Sequence, residues 1–295
     1  MQDIMGNMDI AFPNLGIYLK DVPKAFSVFG FQIALYGVII AAGVFAGVLM
    51  ASHVAKQEGL DSDLIWDFAI YAIIFSIIGA RIYYVVFRWD AYRDNFLGVF
   101  NLRNGGLAIY GAVIAAFLTL FIYCKRKKFG FLQFADICGQ VIGRWGNFTN
   151  REVFGEYTDS LLAMRLPIQM VRAGDISESI SAHIVESTNY IQVHPTFLYE
   201  SLWNLALLMV MLFYRKHKKF EGEQWLLYLG GYGLGRAWIE GIRTDTLFIP
   251  HTTIAVSQVL AAALVVISVV ADILVRRHLN KNTTPTDRVE KTDME

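Results

Sequence analysis

Two polar stripes interrupt stretches that are otherwise apolar. In Gly235–Arg243, GRAWIEGIR, residues Arg236, Glu240 and Arg243 recur at i, i+4 and i+7, and further upstream Asp136, Gln140 and Arg144 recur every fourth residue. Both spacings keep three side chains on one face of a helix. Two such faces turned toward each other can hold a phosphate between arginine forks, with carboxylates keeping the forks oriented. The same stripes also read as a buried ion-pair network holding helices together, and a network and a site can coexist. The segment Gly143–Tyr157, GRWGNFTNREVFGEY, sharpens the question, because an arginine, two asparagines and a glutamate follow directly on the mostly apolar run Phe131–Ile142.

The elements that must position these residues follow from composition. The chain has 295 residues, 55% of them hydrophobic, and a mean hydropathy of +0.42. Its apolar runs recur near the roughly 20 residues that a bilayer-spanning helix needs. Runs this long without period-2 alternation favour helices over barrel strands. Seven spans are predicted, at residues 29–51, 64–87, 105–124, 131–148, 196–214, 224–241 and 251–275, the fourth and sixth being short and glycine-rich. The expected fold is therefore an all-α polytopic membrane protein with about seven transmembrane helices and a small external head. Residues 1–28 form an external or interfacial segment, 29–275 the seven-helix domain with a polar head insertion at 150–195, and 276–295 a polar, aperiodic tail expected to be disordered. A formal net charge of zero gives no reason to expect nucleic acid. Cys124 and Cys138 belong to no CxxC and no His/Cys cluster, so no disulfide framework, metal or cofactor is expected. The N-terminus lacks the basic and apolar regions of a cleavable signal, which leaves targeting to the first span. The pairs Gly43/Gly47, Gly139/Gly143 and Gly231/Gly235 are small-xxx-small faces suited to close helix packing.

The basic clusters Lys125–Lys128, Arg215–Lys219 and Arg276–Lys281 all fall on one side of the seven-span arrangement, the cytoplasmic side by the positive-inside rule, with the N-terminus outside. Depth can then be read for each polar group. Tyr36, Arg81, Tyr110, Arg144, Glu200, Arg236 and Glu240 all fall in the outer part of their spans, although the chain runs through those spans in opposite directions. Intramembrane charge is costly, about 2.5 to 3.5 kcal/mol for an arginine at a helix centre, and a polar chamber opening toward the outer leaflet accounts for the coincidence. Arg81, followed by apolar and aromatic residues, also reads as a side chain snorkelling to the interface. Three arginines with few carboxylates suit an anion, and in a leaflet the obvious anion is a phospholipid phosphate.

The segment GRWGNFTNREVFGE resembles the signature of the prolipoprotein diacylglyceryl transferases, through Gly143, Arg144, Gly146, Asn147, Phe148, Asn150, Glu152 and Gly155. NGGLAIYGA, HPTFLYES and GRAWIEGIRTD match further family motifs in order and spacing, and the resemblance runs from about Phe29 to Arg276. It implies a seven-helix enzyme of the bacterial inner membrane whose site faces outward. Its substrates are expected to be phosphatidylglycerol and the lipobox cysteine of a prolipoprotein signal peptide, the products a thioether and glycerol phosphate. By resemblance the catalytic residues are Arg144, Arg236, Tyr110 and Glu152. The phosphatidylglycerol site is expected to comprise Tyr36, Arg144, Asn147, Asn150, Gly155, Glu200, Arg236, Glu240 and Arg243. Asn147, Asn150 and Glu152 equally suit a helix end braced by a turn at Gly155.

Such chemistry needs a thiol, with a pKa of about 8.5, turned into a thiolate, and a leaving phosphate whose charge is stabilised. Many members of that family carry a histidine where this chain has Tyr110, and a phenol with a pKa near 10 is a poor base at neutral pH. The thiol proton is left to Tyr110 as a phenolate, or to Glu152, Glu240, His194 or water. His194 also reads as helix-entry structure beside Pro195. Two rivals use the same arginines without bond breakage: a transporter or flippase for an anionic lipid or solute, and a non-catalytic lipid-binding scaffold.

Overall fold

The computed structural model describes residues 4–59, 61–93, 96–101, 106–127, 132–246, 248–249, 252 and 254–282. These residues form two compact units, one from Met1–Ala46 with Asp136–Glu295, the other Gly47–Ala135.

Helices dominate both. They are α1 (Leu35–Gln57), α2 (Asp63–Phe87), α3 (Ile109–Lys127), α4 (Leu132–Asn150), the four-residue α5 (Glu178–Ser181), α6 (Thr196–Tyr214), α7 (Glu223–Glu240) and α8 (Val256–Asn282). α1 stops where Gly59 takes φ +76 and its N–H bonds back to the Lys56 carbonyl, a left-handed C-terminal cap. Among the described residues four helices, α1, α2, α6 with its following turn to His217, and α8 to Lys281, are long and apolar enough to cross a membrane. α2 and α8 leave Ile70, Ile73, Ile74, Ile77 and Ile78, and Val266, Ile267, Val269 and Val270, exposed. That much apolar surface is untenable in water and is what a helix presents to lipid. α8 also continues past Arg276 to Asn282, into the stretch expected as tail, while residues 283–295 lie outside the described residues.

The expectation of an all-α chain needs correction, because the structure contains two sheets. β1 (Ile10–Phe12), β2 (Ile17–Leu19), β5 (Met164–Pro167) and β6 (Tyr190–Val193) make a four-stranded antiparallel sheet in the order β2-β1-β5-β6. Residues ahead of the first span thus pair with residues from the polar insertion, Ala11 opposite Arg165. The alternation of buried Met164 and Leu166, and of Ile191 and Val193, turns one face onto a core with Ile10, Phe12, Phe154, Ile180 and Phe197. Strands of three and four residues are too short for a period-2 pattern to announce them.

β3 (Ala25–Val28) and β4 (Phe31–Ala34) form a separate hairpin, with Val28 opposite Phe31. Its two-residue turn is Phe29–Gly30, both at positive φ, the conformation that matches strand twist in tight hairpins. This moves the start of the first helix from the expected residue 29 to Leu35, since a short apolar run does not distinguish a strand from a helix turn.

Small residues bring helices together. In α2 and α3, Gly79 faces Gly111, and a Cβ added at Gly79 would lie 2.6 Å from the Gly111 carbonyl oxygen. In the other unit, a Cβ on Gly43 of α1 would lie 3.1 Å from the Gly139 carbonyl of α4. Gly79→Val should therefore force α2 and α3 apart and cost about 1–3 kcal/mol. Thermal unfolding in detergent tests this, and an unchanged midpoint would mean that the two helices do not meet at these glycines.

Candidate active site

The C-terminal turns of α4 deliver Arg144, Asn147 and Asn150, and the chain then turns sharply through Arg151–Gly155. Pro195 and Thr196 start α6, which carries Glu200 one turn inside, and the last turn of α7 carries Arg236 and Glu240. These three chain ends are stitched by backbone bonds. Gly155 N–H donates to the His194 carbonyl, His194 N–H to the Glu156 carbonyl, and Glu156 N–H to the Ile242 carbonyl, while Gly155 pairs with Arg243 in an antiparallel bridge. Gly155 is needed there because a Cβ would fall 2.6 Å from the Ile242 carbonyl oxygen and 2.9 Å from His194 Cβ. Thr196 Oγ1 donates to the Val153 carbonyl, closing the junction.

Side chains from these ends meet around one carboxylate. Glu200 is 4% exposed. Its Oε2 lies 2.5 Å from Arg144 Nε, and its Oε1 3.0 Å from Arg236 Nη1 and 3.6 Å from Arg243 Nη1. Glu240 Oε2 approaches Arg236 Nη2 at 2.6 Å and Arg243 Nη1 at 3.6 Å, and Asp245 takes Arg243 in a two-point pair at 2.7 and 2.9 Å. Three guanidinium groups thus meet three carboxylates. Arg236 and Arg243 direct their Nη groups at carboxylates, whereas Arg144 is held through Nε. Among the described residues the two Nη groups of Arg144 have no partner, and its side chain is 21% exposed. A guanidinium pinned on one edge with its other donors open is suited to an incoming anion.

Other expected site residues gather nearby. The Tyr36 ring lies against α4 at Gly146, where a Cβ would come within 2.7 Å of it. Asn147 is buried and its carbonyl accepts from Glu152 N–H; Asn150 Nδ2 donates to Glu152 Oε1 at 3.2 Å, and Arg172 lies 3.6 Å from Glu152 Oε2. Asp136 and Gln140 do not join the arginines. They bond to Tyr228, and Gln140 accepts from Asn204, so that end of the stripe is a separate polar contact among α4, α6 and α7. Tyr110 and Arg81 belong to the other unit. Tyr110 is 67% exposed, its ring centroid 6.2 Å from that of Tyr83. Arg81 neither snorkels nor faces an open chamber: it is buried and donates to the carbonyls of Gly98, Val99, Asn101 and Gly106 at 2.6–3.0 Å.

Electrostatics separates the candidate bases. Glu240 is already engaged by Arg236 and Arg243. Burial pushes the His194 imidazole below its ordinary value of 6.5, against the opposing pull of Glu156, so the ring is neutral at neutral pH; its Nδ1 lies 3.1 Å from Tyr199 Oη. For Asp245 burial alone would raise the pKa, but the hydrogen bonds and charge of Arg243 bring it below 3.8. For Arg243, burial is outweighed by Asp245, Glu240 and Glu200, and its pKa rises.

Sequence reasoning picked out each arginine of this lattice. It missed Asp245 as the partner of Arg243, although the residue lies within the quoted motif two places on. It also missed Arg151, for which local sequence carries no signal.

A family model described as prolipoprotein diacylglyceryl transferase matches residues 23–274. The chain is 37% identical over 265 residues to a phosphatidylglycerol–prolipoprotein diacylglyceryl transferase of Finegoldia magna, covering 88% of this chain and 97% of that protein. It is 40% identical over 264 residues to the protein of that name from Clostridioides difficile, covering 88% and 96%. With the Listeria monocytogenes protein of the same name the identity is 41% over 268 residues, covering 88% and 91%.

Glu200→Ala should leave three arginines without their shared counter-ion and cost about 3–5 kcal/mol, read as a lower thermal midpoint; an unchanged midpoint would mean Glu200 holds nothing. The Arg243–Asp245 pair also predicts a pH dependence. Because the folded-state pKa of Asp245 is depressed, its stabilisation is complete above 3.8 and is lost as pH falls through the lower folded value. Thermal midpoints of wild type and Asp245→Asn should differ near neutrality and converge in acid below 3.8.

Proposed function

The chain belongs to the prolipoprotein diacylglyceryl transferase family and is a transferase that moves a diacylglyceryl group from phosphatidylglycerol to a prolipoprotein; we propose that Arg144 grips the lipid phosphate during that transfer. The observation that carries this reading is the pair of unpartnered Nη groups on an arginine whose Nε is fixed by Glu200. The transport and scaffold readings are not retained.

In the proposed reaction the acceptor is the lipobox cysteine of the signal peptide. Its sulfur attacks the glyceryl carbon that bears the phosphate ester, the carbon–sulfur bond forms as the carbon–oxygen bond breaks, and glycerol phosphate departs with the bonding pair on oxygen. Arg144 neutralises charge as it builds on that oxygen, and Arg236, held by Glu200 and Glu240, supplies the second cation beside it. Arg243 with Asp245 fixes the end of α7 against Gly155. Tyr36 donates to the phosphate from the start of α1. Asn147, Asn150 and Glu152 face the head-group glycerol, whose hydroxyls a carboxylate can accept. The thiol proton leaves to a base without an arginine partner, for which His194 and water qualify.

The topology that suits this chemistry has seven spans. α3, α4 and α7, at 18 or 19 residues, reach about 27–29 Å, close to the hydrocarbon thickness of about 30 Å. The clusters at 125–128, 215–219 and 276–281 then lie on the cytoplasmic side of a bacterial inner membrane, with the N-terminus and the four-stranded sheet outside.

Purified protein, phosphatidylglycerol and a lipobox peptide should yield a peptide heavier by one diacylglyceryl group. Arg144→Lys keeps the charge but loses the fork, and should lower turnover by about 100-fold or more while leaving membrane insertion intact. Near-normal turnover in that variant would remove Arg144 from the phosphate site.

A further inference from the structure

The turn after α4 holds two residues in a conformation that side chains other than glycine rarely adopt. Arg151 has φ +56 and Val153 φ +57, and they flank Glu152. For a β-branched residue such as Val153 this is a strained backbone, and strain of this kind persists only where the surroundings over-determine it.

The surroundings here are unusual. Arg151 is 2% exposed. Its Nη1 donates to the Thr149 carbonyl at 3.0 Å, and its Nη2 to the carbonyls of Met8 at 2.5 Å and Val22 at 2.7 Å. Met8 and Val22 close the β1–β2 segment, since Val22 N–H donates to the Met8 carbonyl at 2.8 Å. Arg151 Nε has no partner, and among the described residues no carboxylate forms an ion pair with it. A buried cation with no carboxylate in ion-pair contact is an expensive brace where an apolar residue would pack at lower cost. What the guanidinium supplies that an apolar residue cannot is three directed bonds, which tie the turn to the N-terminal segment and to the last turn of α4. On the other side, Thr196 Oγ1 holds the Val153 carbonyl, and Glu152 N–H returns to the Asn147 carbonyl.

We infer that Arg151 is a positioning residue: its carbonyl clamp holds the backbone against the strain at Val153 and so presents the Glu152 carboxylate to the head group. The inference rests on the reading of Glu152 as a site residue. It gives the N-terminal segment a part in catalysis, because two of the three clamped carbonyls come from residues ahead of the first membrane helix.

Arg151→Asn removes the clamp while keeping a residue that tolerates left-handed φ. In the full-length protein, assayed with phosphatidylglycerol and a lipobox peptide, this variant should lose about tenfold or more in kcat with a smaller change in KM for the lipid. Adding Val153→Gly to Arg151→Asn removes the strain that the clamp opposes, and should restore a large part of the lost kcat. Val153→Gly alone should raise the thermal midpoint. A double variant no better than Arg151→Asn overturns the inference, as does full turnover in Arg151→Asn beside a crippled Glu152→Gln. Full turnover in Glu152→Gln overturns the reading of the site and the inference with it.

Discussion

The site depends on one buried carboxylate. Glu200 takes Arg144 on one oxygen and Arg236 and Arg243 on the other, and with Glu240 and Asp245 it balances three guanidinium charges in a setting where an unpaired charge costs several kcal/mol. Neutrality is what allows three arginines to be kept side by side within the protein. It also fixes geometry, because each guanidinium is planar and each contact removes a freedom. The lattice settles which donors are spoken for and leaves the Nη groups of Arg144 open.

Backbone pairing does the coarser work. The strip of main chain from Phe154 to Glu156 lies between His194 on one side and Ile242–Thr244 on the other. This brings the ends of α4 and α7 and the start of α6 into register before any side chain is considered. The aromatic side chains of the strip and its neighbours, Phe148, Phe154 and Phe197, then pack into the core of the four-stranded sheet. The ion-pair lattice and the sheet share a foundation, so a change in the sheet core bears on the loop that carries Glu152.

The parts of this arrangement legible in the sequence were those written in local spacing. Arg236, Glu240 and Arg243 announce a helical stripe by themselves, and the asparagines and glutamate after Arg144 announce a helix end. The rest depended on partners far away along the chain. Nothing near Glu200 tells that its carboxylate is shared among three arginines, and nothing near Arg81 tells that its donors are taken by carbonyls of the 98–106 stretch. The sheet escaped notice for a related reason: β1 and β2 are three residues each, and β5, which pairs with β1, lies beyond four helices. The Phe29–Gly30 turn was read as the start of a helix because hydropathy counts apolar side chains and does not see φ.

The pairing of Arg144 with Glu200 also bears on how the protein is made. Ribosomes deliver α4 before α6 and α7, so Arg144 is synthesised before Glu200, its counter-ion. Until then the polar face of α4 lacks the partners that Asn204 and Tyr228 later give to Gln140 and Asp136. The ion-pair lattice cannot close before the chain has been made through Asp245.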